Sequence, residues 1–97
     1  MSLREIMDKE ARLVILRSLL DCRGEANESI LQSCLDVYGI NVSRDEVRTQ
    51  MSWLNEQGMI ELEIVGSCFV ATLKSRGQDV AEGRSTVPGI KKPRIGE

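Results

Sequence analysis

Residues 59–71, MIELEIVGSCFVA, leave the chain almost one local solution. Ile60, Leu62 and Ile64 alternate with Glu61 and Glu63, the period-two pattern of a strand with one buried face. Gly66-Ser67 then places glycine first, as a two-residue type II′ turn requires. With that turn Ile64 pairs with Phe69 and Leu62 with Ala71, so the apolar faces of both strands coincide. A slip of one residue would turn every apolar side chain to the wrong face. A β-hairpin is therefore predicted, and the rest of the chain must supply a layer to cover it.

The segment before it supplies a sharply bounded helix. Residues 43–58, SRDEVRTQMSWLNEQG, open with a capping box, Ser43 and Glu46, and close at Gly58. Val42 and Val47 stand at the positions of a hydrophobic staple, and Val47, Met51 and Leu54 form the inward stripe. A preceding helix starts after Asn27, a good N-cap, and ends at Gly39. Its Ile30, Leu31, Cys34, Leu35 and Tyr38 share one face at helical spacing. The four-residue connection Gly39-Ile40-Asn41-Val42 makes the two helices a helix-turn-helix arrangement. The first helix begins with another capping box, Ser2 and Glu5. Its apolar residues, from Leu3 and Ile6 to Leu19 and Leu20, cover well over half the circumference. Such breadth makes it either central to the fold or shared with a second subunit as a homodimer.

After the hairpin, LKSRGQDVAE reads as a short helix, with Thr72 as its cap and Gly83 as its stop. Leu73, Gly77, Val80 and Ala81 lie on one side, and Gly77 permits close packing there. Helix, helix, helix, hairpin, helix is an α+β fold, a small winged helix-turn-helix over residues 1–83. Residues 84–97 contain two prolines and little to bury, which predicts a flexible basic tail. Charge divides at the same place. Residues 1–83 hold nine basic and fourteen acidic side chains, a net of −5, and residues 84–97 hold four against one, a net of +3.

At residue level the chain resembles a winged helix-turn-helix family of Mu-like phages and prophages. The likeness rests on SLRE at the start, YGINVSRDEVRTQMSWLNEQGMI in the middle, and TLKSRGQDVAEGR followed by VPGIKKPR. It covers nearly the whole chain. It implies a prophage origin, a winged-helix fold and, by analogy with that fold, DNA binding in transcription regulation. It supplies no catalytic or ligand residues.

The residues themselves give a candidate DNA surface on helix 43–57. Its outward side carries Asp45, Arg48, Thr49, Ser52 and Glu56, with Arg44 and Asn55 along the edge. Arginine suits guanine, Asn suits adenine, and Ser or Thr suit phosphate or base edges in the major groove. Arg44, Arg48, Thr49 and Ser52 fall in the half of a recognition helix that meets bases. Lys91, Lys92 and Arg94 of the tail are expected to add attraction to the backbone. Against this, the wing tip Val65-Gly66-Ser67-Cys68 has no cation, and Glu61 and Glu63 point away from the core. Phosphate contacts need positive charge. An acidic wing, together with Trp53 about 120° off the buried stripe, supports a different class of function, an adaptor that binds a phage or host protein. In that reading Trp53 is an anchor; in the simpler one it packs within its own fold.

Other classes find less support. The chain has no histidine, hence no ordinary Ser or Cys relay, and no glycine-rich phosphate loop, so an enzyme is not expected. Cys22, Cys34 and Cys68 lack zinc spacing and read as reduced small hydrophobes, with no metal or cofactor expected. No segment has the apolar length of a membrane span and the N-terminus lacks a secretory signal, so a cytoplasmic protein is expected.

Overall fold

The computed structural model describes residues 2–94. Helices α1, α2 and α3 pack against a three-stranded antiparallel sheet, and α4 packs on α1. The element order is α1 (Leu3–Asp21), β1 (Glu25–Asn27), α2 (Glu28–Val37), α3 (Arg44–Glu56), β2 (Ile60–Val65), β3 (Cys68–Leu73) and α4 (Ser75–Ala81). The caps form as their residues dictate. Ser2, Asn27 and Ser43 accept from the backbone N–H of Glu5, Ile30 and Glu46, each satisfying one of the first-turn donors that a helix leaves open. Gly39 and Gly58 take φ of +78° and +76°, the left-handed exits that stop α2 and α3.

The hairpin has the register set by its apolar alternation, with Leu62 opposite Ala71 and Ile64 opposite Phe69. Gly66 takes φ +64° and Ser67 is not left-handed, which is the II′ combination. The sheet is larger than the predicted two strands. Glu25–Asn27 pairs with β3 on its free edge, Ala26 opposite Ala71, to give the order β1-β3-β2. Arg23 at φ +63° and Gly24 at φ +96° turn the chain out of α1 into that edge. Three residues are too few to show a period, so the strand left no sequence signal.

Two further expectations are corrected. Thr72 does not cap the last helix: it sits in β3 opposite Glu25 and Glu61, and α4 starts only after Lys74, which makes no side-chain cap. The C-terminal stretch is not a loose tail through residue 91. Ile90 is 6% exposed within the core, Val87 packs against it, and the Lys91 N–H donates to Lys9 O. The compact unit thus extends past residue 83. Residues 95–97, the end of the predicted tail, lie outside the described residues.

The core is aliphatic, as the scarcity of aromatics requires. Leu13, Ile15, Leu16 and Leu19 of α1 meet Leu31, Leu35, Val47, Met51, Leu54 and Ile60. Gly77 fulfils the expected close approach: a Cβ there would lie 2.2 Å from the Met59 carbonyl oxygen. Among the described residues no helix is long and apolar enough to cross a membrane.

Candidate nucleic-acid interface

α3 follows α2 through the turn at Gly39–Val42. Its buried stripe is Val47, Gln50, Met51 and Leu54. At 100° per residue the opposite strip is Asp45, Thr49, Ser52 and Glu56. Three of these are exposed and Ser52 is half-buried.

The structure places Arg48 away from the role of a free base reader. Its Nε donates to Glu28 Oε2, its Nη2 donates to Glu28 Oε1 at 2.8 Å, and Nη2 donates again to the Ser67 carbonyl at 2.9 Å. The guanidinium also lies 5.1 Å from the centre of the Phe69 ring. Glu28 is 2% exposed at the first turn of α2, where the helix dipole favours a negative charge. Arg48 therefore ties α2, α3 and the hairpin tip together. The hydrogen bonds from Arg48 hold the Glu28 carboxyl below the ordinary carboxylate range against the opposing effect of burial, with the charges of Arg48 and Arg44 assisting. The same pairing raises Arg48. Charge-assisted, bidentate contacts of this kind are directional, so they fix where the wing sits.

Other predicted contact residues are divided. Arg44 is exposed, donating from Nε to Gln32 Oε1 at 2.8 Å, with Nη1 3.8 Å from Glu28. Thr49 Oγ1 donates back to Asp45 O at 3.0 Å, a bond internal to the helix. Asn55 Oδ1 accepts from the Leu62 N–H at 3.2 Å and so pins β2 to α3. The C-terminal segment packs on α1 and, through Gly89, on Trp53 of α3. Lys91 pairs with Glu10 of α1 at 2.8 Å, and the chain then runs toward Gly83, where Pro93 lies close by; Lys92 and Arg94 are exposed along that path.

Two exposed cations that the sequence did not single out lie beside the end of α3. Lys74 and Arg76 begin α4, and a Cβ on Gly58 would meet Arg76 Cδ at 3.9 Å. They stand at the far end of α3 from Arg44. Trp53 is half-buried: Arg12 stacks 4.0 Å from its ring centre, and a Cβ on Gly89 would fall 2.8 Å from its ring. Arg12 also donates to Gln50 Oε1 at 2.7 Å and to Gly89 O at 2.9 Å, and Gln50 donates to Asp8 at 3.1 Å. The packing explanation for Trp53 accounts for this arrangement. Glu61 and Glu63 remain exposed on the outer face of β2.

Among known proteins, the chain is 60% identical over 92 residues to the uncharacterised protein gp26 of Escherichia phage Mu, covering 95% of this chain and 96% of that one. It is 39% identical over 94 residues to an uncharacterised protein of Haemophilus influenzae, covering 91% and 92%. No protein-family model and no solved structure matches it.

Proposed function

The chain belongs to the family of phage Mu gp26, and we propose that it is a DNA-binding protein of Mu-like phages, a transcription regulator with α3 as its recognition helix. The observation that carries this reading is the setting of α3. On its outward strip Thr49 is exposed and Ser52 half-buried between the exposed Asp45 and Glu56, and exposed cations stand at both ends, Arg44 at the start and Lys74 with Arg76 beside the end. A helix of 13 residues is about 20 Å long, enough to enter a major groove roughly 12 Å wide and meet phosphates on its two sides. Thr49 and Ser52 make the contacts inside the groove, and Arg44, Lys74 and Arg76 meet the phosphates at its sides. Arg48 and Asn55 act from behind, holding the wing and β2 in place.

The charge available is modest, and it sets the character of the binding. Three cations per subunit neutralise at most about three phosphates, so the salt slope is about −2.7 per subunit. Selection of bound fragments from a random duplex pool, at two salt concentrations, tests the proposal. Enrichment of a common sequence that is lost in Arg44→Ala supports it. Absence of retained DNA at low salt refutes it.

One observation favours a second reading. Glu61 and Glu63 present an acidic strip on the outer face of β2, which suits a basic surface of a phage or host protein and repels phosphate. In that case the fold serves as an assembly adaptor. Association with such a partner that survives Arg44→Ala and fails in Glu61→Lys would favour it.

A further inference from the structure

Cys22 and Cys34 come from different elements and meet at one place. Cys22 caps the end of α1, where its N–H donates to Ser18 O at 2.9 Å and the left-handed Arg23 and Gly24 fix the exit of the chain. Cys34 lies in the second half of α2, beside Leu31 and Leu35, which pack that helix into the core. Together with Ser18, Asp21, Val37 and Tyr38, the two cysteines line one open cavity of about 230 Å³. Both are free and half-buried, and the Cys34 side chain is a hydrogen-bond partner of the Cys22 thiol. Burial pushes the Cys22 thiol up, and Cys34 and Asp21 add to the shift. A thiol kept protonated in this way reacts slowly by itself. The third cysteine, Cys68, stands apart at the hairpin tip beside Glu28.

We propose that Cys22 and Cys34 are a site of reversible oxidation, which a small-molecule disulfide converts into one disulfide within the chain, joining α1 to α2. The thiolate of one cysteine attacks a sulfur of the oxidant, forming a mixed disulfide and releasing a first small thiol. The other cysteine gives up its proton and attacks the protein sulfur of that mixed disulfide. The Cys22–Cys34 bond forms as the bond to the small molecule breaks, and a second small thiol leaves. The two protein thiols lose two electrons and two protons in all, and the oxidant is reduced to two thiols. Proximity favours the second step, because the fold already holds the attacking sulfur beside its target. Cys68 has Glu28 rather than a sulfur beside it, so it stops at the mixed disulfide. The bond closes a loop that contains β1 and ties α2, whose first turn holds Glu28 against Arg48, to the end of α1. The inference uses no part of the DNA reading.

Treatment of the folded full chain with oxidised glutathione, followed by tryptic mapping without reduction, tests it. The peptides of residues 18–23 and 24–44, which carry Cys22 and Cys34, stay joined in chains that remain single. The link persists in Cys68→Ser and is reversed by dithiothreitol. The linked chain melts about 5–15 °C above the reduced one, since the bond restricts the unfolded chain. Cys22→Ser and Cys34→Ser form no link and show no such rise, with circular dichroism as the check on their fold; the map of the wild-type chain does not depend on either variant. A wild-type chain in which Cys22 and Cys34 stay as separate thiols, or as separate glutathione adducts, overturns the proposal. So does a link of either one to Cys68, a link formed only between chains, or a link that appears only in the urea-unfolded chain.

Discussion

Replacing Ile90 by alanine distinguishes a docked C-terminal segment from a loose one. Ile90 is 6% exposed, and its neighbourhood is held by Arg12 donating to Gly89 O at 2.9 Å and by Lys91 on Glu10. The change removes roughly three methylene-sized groups, and at about 0.8 kcal/mol each the lost transfer energy is about 2.4 kcal/mol. Part of the resulting cavity persists, so the expected loss is about 2.5–3.5 kcal/mol. For a chain of 97 residues the whole stability is about 5–15 kcal/mol, and the substitution takes a large share of it. The corresponding fall in melting temperature is about 10–25 °C. Urea unfolding followed by Trp53 emission is the appropriate assay, because that ring packs against Gly89 and reports the segment directly. A loss below about 0.5 kcal/mol, the range of ordinary surface substitutions, would refute the docking.

Two other perturbations test separate parts of the fold. Gly77→Ala places a Cβ 2.2 Å from Met59 O, and the clash outweighs the better helix propensity; a net loss of about 2 kcal/mol is expected in the same urea assay, and no loss would mean that α4 sits differently. Glu28 is held below its ordinary value of 4.5, so it binds fewer protons folded than unfolded near that pH. Its contribution is complete above that value and is lost as pH falls through the folded pKa. Urea midpoints measured from neutral to acid pH should therefore converge between wild type and Glu28→Gln as the solution is acidified below about pH 4.5. A constant gap between them would contradict the pairing with Arg48.

What was legible in the sequence was local. The hairpin register follows from alternation around one glycine, and the three side-chain caps follow from residues three positions apart, so each is specified within a few residues. The missed features depend on distant neighbours. β1 exists because Glu25–Asn27 completes an open edge of β3, and that pairing also takes Thr72 away from the capping role its chemistry allows. Residues 87–91 look like a tail by composition, yet Trp53, Arg12 and Glu10 together make a bed for them. Arg48 is the sharpest case within the candidate site. On its own helix it has the position of a base reader, but a buried carboxylate 20 residues earlier claims it, and nothing in the spacing reveals that α2 brings Glu28 there. Lys74 and Arg76 carry no signal in the sequence for the converse reason, since only the folding of the sheet brings them to the end of α3.

The central claim is that α3 meets DNA with Arg44 at one end and Lys74 and Arg76 at the other. The direct test is equilibrium binding of a selected duplex over a range of salt concentrations, for wild type, Arg44→Ala and the pair Lys74→Ala/Arg76→Ala. The expected slope is about −2.7 per subunit, reduced by about 0.9 in the first variant and by about twice that in the second. Binding whose slope is the same in all three, or no binding at low salt, would contradict it.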